Sequence, residues 1–295
     1  MIIGISGKKQ VGKDTIGKII QSLDWYYNGY KNNIREKYSD IEYITKVINN
    51  EILEYSDYQI KKFADSLKDM VCILLNCTRE QLEDKEFKEK ELGEEWAIWK
   101  VLLRNGSKFG GLYLDEKIAK YTSQFSSVQP TEVVKEILTP RKLLQLLGTE
   151  CGREIIHPNI WVNSVFADYR RSLRNVKNVP TTGMRTSMLQ ADYPDWIITD
   201  VRFPNEANAI KQKDSIIIRV NRSLESQVIT SAKEKYNIDV SNALIKETFN
   251  ELRKFEHPSE SALDNYKFDY VIDNNGTIEE LIKKVKEILI KEKII

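Results

Sequence analysis

Gly7-Lys8-Lys9-Gln10-Val11-Gly12-Lys13-Asp14-Thr15 carries the most concentrated chemistry in the chain. Gly7, Gly12 and Lys13 have the G-x-x-x-x-G-K spacing of a phosphate-binding loop, directly after a predicted strand and at the opening of a predicted helix. Glycines let main-chain N–H groups turn inward around an anion. The N-terminus of the following helix adds a positive partial charge. A lysine at position 13 reaches the terminal phosphates and neutralises charge as it moves during transfer. Gly7, Lys8, Gln10, Val11, Gly12, Lys13, Asp14 and Thr15 are therefore the expected nucleotide-binding set. The position after the lysine, where this motif usually has Ser or Thr, is Asp14, and the hydroxyl comes one residue later at Thr15. Both are candidate Mg²⁺ ligands, and the choice between them stays open. The bland alternative is a glycine-containing turn with a lysine by chance.

A second acidic position reinforces the first. Trp196 to Thr199 is a short apolar run ending at Asp200, a carboxylate at the C-terminal end of a predicted strand. Ligands of open α/β sheets sit at that edge, and an Asp there holds Mg²⁺ beside a phosphate loop, unless it merely caps the next turn. Arg202 follows two residues on. Its guanidinium either grips a phosphate bidentately or pairs structurally with Glu206.

These residues need a scaffold to position them. Ile2 to Ser6 is a β-branched run and reads as a buried strand. Ile16, Ile19, Ile20 and Leu23 recur at helical spacing over Lys13 to Leu23. A strand is expected over Gln59 to Phe63, and a helix over Ala64 to Leu75 with Leu67, Met70, Val71, Leu74 and Leu75 inward. Thr139 and Pro140 open another helix, Gly148 marks its end or a tight packing point, and Ile160 to Leu173 forms the next. Helix Glu206–Lys213, strand Ile216–Val220, strand Phe268–Ile272 and helix Ile278–Ile290 complete the series. Alternating strands and helices imply an α/β fold with a mostly parallel central sheet and helices on both faces. Residues 24–58 (helical over Ile41 to Tyr55), about 90–135, 175–192 and 223–253 break the rhythm and read as insertions, with 104–131 a loop or flap.

The 295 residues suggest two domains by length alone, but the order of the motifs argues for one domain over 1–295. With 45 basic and 44 acidic residues, the net charge of +1 speaks against a protein built to coat nucleic acid or an anionic membrane. No run approaches the roughly 20 apolar residues of a membrane span. Cys72, Cys77 and Cys151 are too few and too scattered for a disulfide framework or a zinc site. A cytoplasmic location is expected.

Further segments make the sequence more specific. They are Lys62-Phe63-Ala64-Asp65-Ser66-Leu67-Lys68, Arg141 to Glu150 with its Gln-Leu-Leu-Gly-Thr-Glu ending, Asp200-Val201-Arg202-Phe203-Pro204-Asn205-Glu206, His257-Pro258-Ser259-Glu260, and Phe268 to Thr277. With the phosphate loop, this set resembles the deoxynucleoside monophosphate kinases of bacteriophages, a branch of the P-loop nucleotide kinases. The resemblance implies a three-layer P-loop kinase fold. It implies transfer of the ATP γ-phosphoryl to a deoxynucleoside 5′-monophosphate, with Mg²⁺, and a monophosphate site facing the loop.

The resemblance places the monophosphate border and the lid, and side-chain chemistry suggests the remaining roles. Asp65 and Lys68 border the monophosphate site, unless Asp65 caps its helix and Lys68 is solvated. Arg141 binds the acceptor phosphate and Gln145, four residues on, reads a base edge. Arg153 is a further substrate candidate, and Trp161 either stacks on the base or belongs to the core. Arg222, just past a strand, begins a lid that closes over the phosphates, unless it is a surface arginine. His257 is a substrate-binding candidate and Asn274 lies near the adenine. Catalysis is expected to rest on Lys13, Asp200, Arg202 and Arg222, with Asp14, Thr15 and Asp200 at the metal. A homodimer is compatible with this class. The competing readings are another small-metabolite P-loop kinase and a nucleotide-dependent switch, although no guanine-reading Asn-Lys-x-Asp occurs.

Overall fold

The first strand, β1 (Ile2–Gly7), is buried along its whole length and runs straight into the phosphate loop. The computed structural model describes residues 1–28, 33–50, 56–103, 111–113, 120, 130–175, 189–223 and 261–295. The loop is followed by helices α1 (Lys13–Asn28), α2 (Asn33–Lys37) and α3 (Asp40–Ile48). Strand β2 (Gln59–Lys61) comes next, then α4 (Asp65–Leu75), α5 (Arg79–Glu83) and α6 (Lys85–Glu89). Strands β3 (Ala97–Leu103), β4 (Gly111–Tyr113) and β5 (Pro130–Ile137) precede α7 (Pro140–Gln145), which continues as a wider π-helical run over Leu146–Ile156. The remaining elements are α8 (Ile160–Phe166), β6 (Ser172–Asn175), β7 (Leu189–Asp192), β8 (Trp196–Val201), α9 (Pro204–Lys211), β9 (Ser215–Asn221), β10 (Tyr270–Asp273) and α10 (Ile278–Lys291).

Among the described residues, five strands form one sheet in the order β10-β9-β1-β8-β2, and every neighbouring pair is parallel. The register places Ile2 beside Trp196 and Ser215, so the C-terminal ends of β1, β8 and β9 reach the same edge. One face buries Ile3, Ile5, Ile197, Ile216 and Ile218 beneath α1, α3 and α10. On the opposite face α9 lies so close that a Cβ on Gly4 would meet Ile210 at 3.0 Å. This is the expected three-layer α/β arrangement of a P-loop kinase.

The chain divides into two compact units, Met1–Phe63 with Val162–Ile295, and Ala64–Trp161. The first holds the parallel sheet. The second holds α4 to α7 and an antiparallel sheet of order β4-β3-β5, around a core of Val71, Leu82, Ile98, Leu138 and Leu143.

Several expectations need adjustment. In α4 the inward stripe is Leu67, Val71 and Leu75, an i, i+4, i+8 series. Met70 and Leu74 fall on the next stripe and are 45% and 51% exposed, contrary to the inward placement predicted for them. The helix expected over Ile160 to Leu173 stops at Phe166, and Ser172–Asn175 pairs antiparallel with Leu189–Asp192. Within the loop expected at 104–131, Gly111–Tyr113 is a strand paired with β3. A three-residue strand held by a distant partner leaves no periodic signal. The stretch at 24–58 is less peripheral than expected, because Tyr43, Ile44 and Val47 of α3 are buried in the main core. Most of the 223–253 excursion lies outside the described residues. Thr139 does cap α7, accepting from Lys142 N at 3.2 Å with Pro140 in the first turn.

Candidate active site

The phosphate loop is shaped by close packing of its own main chain. A Cβ on Gly7 would lie 2.6 Å from the Val220 carbonyl and 2.7 Å from Val11. Gly12 has φ +94°, a conformation that disfavours any side chain, and a Cβ there would meet Asn274 Nδ2 at 2.7 Å. Gln10 is also left-handed, at φ 62°. The loop is latched from the end of β10, where Asn274 Nδ2 donates to the Val11 carbonyl at 2.9 Å. Asn274 N in turn donates to Asn221 O at 2.7 Å, tying the latch to the end of β9.

Lys13 opens α1 and folds back over the loop, donating from Nζ to Gly7 O at 2.8 Å and to Lys8 O at 2.6 Å. Its ammonium therefore already stands inside the curve of the loop. Asp14, the residue that replaces the usual hydroxyl, accepts from Thr199 Oγ1 at 2.7 Å and pairs with Lys62 Nζ at 2.9 Å. Burial pushes the Asp14 carboxyl upward, but hydrogen bonds from Lys62 and Thr199 and the charges of Lys62 and Lys13 outweigh it and hold the group below the usual carboxylate range. Asp14 is thus a fixed anion beside the loop.

Asp200 occupies the expected strand end and accepts from Phe63 N at 2.8 Å. That bond joins the ends of β8 and β2 across the sheet edge. Glu206, 1% exposed, accepts from the main-chain N–H of Arg202 at 2.7 Å and of Phe203 at 3.1 Å. Glu206 therefore serves the turn through the backbone of Arg202. Arg222 stands one residue beyond β9. Lys13, Asp14, Asp200 and Asn274 are all anchored at the C-terminal edge of the parallel sheet, and Thr15 lies in the first turn of α1.

The substrate candidates of Ala64–Trp161 have partners of their own. Asp65 is not the cap of α4, since Ala64 takes that position without a side-chain bond. Its carboxylate instead accepts from Arg79 Nη2 at 2.9 Å. Lys68 pairs with Glu83 rather than facing solvent alone, and Arg141 Nε pairs with Glu89. Gln145 is exposed and Arg153 half-buried in the π-helical run. Trp161 is 5% exposed and donates from Nε1 to Gly148 O at 2.8 Å, so its indole is committed to packing and the core reading applies. Gly148 is the tight packing point, with a Cβ there only 2.8 Å from Leu67. His257 lies outside the described residues.

Two residues of the sheet edge were not among the expected site set: Lys62 and Thr199. Parallel register was the missing signal. Lys61 is aligned with Ile198, which brings the residues after them, Lys62 and Thr199, to one place at the edge.

A parallel sheet with a glycine-lysine loop at its C-terminal edge, a carboxylate at the neighbouring strand end and helices on both faces defines the P-loop nucleotide-binding class, to which the P-loop kinases belong. Comparison with known proteins narrows the class. The family model for deoxynucleotide monophosphate kinase matches residues 1–245, and the chain belongs to that family. The deoxynucleoside-5′-monophosphate kinase of Escherichia phage T5 is 22% identical over 282 residues, covering 89% of this chain and 85% of the relative. A putative deoxynucleotide monophosphate kinase of Acanthamoeba polyphaga mimivirus is 28% identical over 151 residues, or 50% of this chain and 59% of the relative. The protein is an enzyme, a nucleotide kinase that uses ATP. Among the described residues, no helix is long and apolar enough to cross a membrane.

Proposed function

We propose that the enzyme transfers the γ-phosphoryl of Mg·ATP to a deoxynucleoside 5′-monophosphate, giving the diphosphate and ADP. The observation that carries this reading is the loop itself: Lys13 Nζ sits within 2.8 Å of the Gly7 and Lys8 carbonyls, where a phosphate group held by the loop amides would meet it. Phosphoryl transfer asks little covalent chemistry of the protein; it asks for positioning and positive charge around two phosphate groups. Lys13 follows the transferring group. Arg202 and Arg222, at the ends of β8 and β9, supply guanidinium charge to the phosphates, and closure over Arg222 excludes water that would otherwise accept the phosphoryl group.

The residues present fit Mg²⁺. It is bound through one or two carboxylates together with substrate phosphates, in preference to an all-protein cage. The sheet edge offers the Asp14 and Asp200 carboxylates and the Thr15 hydroxyl, an all-oxygen set. When bound, the ion would offset charge on the β- and γ-phosphates.

Arg141 and Gln145 are assigned to the acceptor, Arg141 to its phosphate and Gln145 to the base, with Asp65, Lys68 and Arg153 bordering the same site; the family resemblance supports the placement of Asp65 and Lys68, and side-chain chemistry the others. Residues 1–295 are read as one catalytic domain, a reading supported by a family match over residues 1–245 that enters both compact units. The enzyme works in the cytoplasm, and as a homodimer. A panel of deoxy- and ribonucleoside monophosphates with Mg·ATP, read as ADP release, tests the activity. Release stimulated by deoxynucleoside monophosphates is expected; no stimulation by any of them rejects it. Sedimentation velocity tests the dimer.

A further inference from the structure

Lys62 belongs to the sheet edge, yet neither the loop motif nor the arginines account for it. Its main chain is fixed on both sides. Lys61 is in register with Ile198, and the Phe63 N–H donates to Asp200 at 2.8 Å. From that fixed point the ammonium reaches Asp14 Oδ1 at 2.9 Å, one residue after the lysine of the phosphate loop. Asp14 is itself restrained from β8 by the hydroxyl of Thr199, which is 1% exposed. The lysine is 30% exposed and the carboxylate 67%. An ion pair that open to solvent is worth little, because water competes for both partners. A nucleotide phosphate has more charge and more acceptor oxygens than one carboxylate, and it binds an ammonium through stronger charge-assisted bonds.

We propose that Lys62 is a second phosphate-directed cation of the nucleotide site. On nucleotide binding it exchanges Asp14 for a phosphate oxygen, and the exchange releases an Asp14 oxygen toward the divalent cation. No bond is made or broken; one ammonium changes anions. The proposal rests on the reading of this edge as the ATP site. It gives the departure at position 14 a use, since an aspartate there holds the lysine in place before the phosphates arrive.

A simpler arrangement would have Lys62 merely neutralise Asp14, so that its loss weakens nucleotide binding only by leaving a bare carboxylate near the phosphates. A double-mutant cycle on ATP binding separates the two. ATP is titrated by calorimetry, in EDTA, into the wild type, Lys62→Met, Asp14→Asn and the double variant, each checked for an unchanged thermal midpoint. Direct contact with phosphate predicts that Lys62→Met weakens ATP about 10-fold, and does so again by about 10-fold in the Asp14→Asn background. Asp14→Asn alone tightens metal-free ATP, because it removes the competing anion. Lys62→Arg keeps most of the affinity, which guards against a folding artefact. The proposal is overturned if Lys62→Met has no effect, or if its effect vanishes once Asp14 is Asn. The cycle is read without an acceptor, so failure of every deoxynucleoside monophosphate in the activity panel would remove the proposed reaction and leave this result intact.

Discussion

The edge of the parallel sheet and the helical unit Ala64–Trp161 hold charge in opposite ways. At the sheet edge, the Asp14–Lys62 pair apart, the charges are tied to the main chain. Asn274 latches the Val11 carbonyl, Phe63 N–H takes Asp200, and Lys13 bends over two loop carbonyls. In the helical unit, side chains hold one another: Arg79 with Asp65 and Asp69, Lys68 and Lys88 with Glu83, and Arg141 with Glu89. A cradle built from main chain stays in shape when one side chain changes. A net of half-exposed ion pairs can let go of any member at small cost. That contrast suits the two tasks proposed above, a fixed grip on ATP phosphates for the sheet edge and adjustable charges for a monophosphate in the helical unit.

The largest expected effect tests the fixed region. Lys13→Ala removes the ammonium that folds back onto the loop carbonyls and should lower kcat by about 10²–10³. The fold should survive, because the deleted bonds are two side-chain bonds to loop carbonyls, while the parallel ladder of β1 with β8 and β9 is untouched. Circular dichroism and steady-state rates check the two halves of that statement. A folded variant with near-normal kcat would mean that the loop lysine is as replaceable as the ion pairs of the other unit.

The same contrast explains what could be read from the sequence. The loop was legible because glycine spacing encodes main-chain shape, and Asp200 because an apolar strand run has a visible end. β1, β8, β9, α1 and α10 were legible for the same local reasons. Lys62 and Thr199 were not, since they meet only through the register of two strands 137 residues apart, as the Phe63–Asp200 bond measures. Nor were the partners of Lys68 and Arg141. Ion pairs between neighbouring helices depend on how the helices pack, and Glu80 to Glu95 offers many equivalent acids. The exposure of Met70 and Leu74 has a similar origin, because two overlapping apolar stripes on α4 look alike until a packing partner selects one.

Next in size is a test of backbone constraint in the helical unit. Gly152 lies in the π-helical run, where a Cβ would stand 2.5 Å from the Leu147 carbonyl and 2.9 Å from the Trp161 ring. A backbone atom cannot swing away as a long side chain can. Gly152→Ala should cost about 1–3 kcal/mol of stability by overpacking. Denaturant unfolding would show it as a lowered midpoint. A neutral result would make even the packed part of this unit as forgiving as its ion pairs.

A smaller effect sharpens the role of the loop latch. Asn274→Ala deletes the bond to Val11 O and leaves Lys13 untouched. One neutral hydrogen bond is worth about 1 kcal/mol, so the KM for ATP should rise about 5-fold with kcat little changed. A fall in kcat matching that of Lys13→Ala would show that the latch positions the transferring phosphate as well as the loop.

The smallest effect belongs to the ion-pair net, and pH isolates it. Burial pushes the Glu83 carboxyl upward, but hydrogen bonds and charge from Lys68 and Lys88 prevail and bring it from 4.5 to about 2. A carboxyl whose folded value lies below its unfolded one stabilises the fold above about pH 4.5, and that contribution fades as pH falls toward 2. Solvent screening limits the gain for a side chain 49% exposed, to about 0.5 kcal/mol. Glu83→Gln should therefore lower the thermal midpoint slightly at pH 7, and the gap to wild type should close on acidification through this window. High salt should close it at neutral pH as well, because exposed pairs are screened. A gap that persisted at low pH and high salt would mean that Glu83 acts through packing, and the helical unit would then resemble the sheet edge more than its exposed charges suggest.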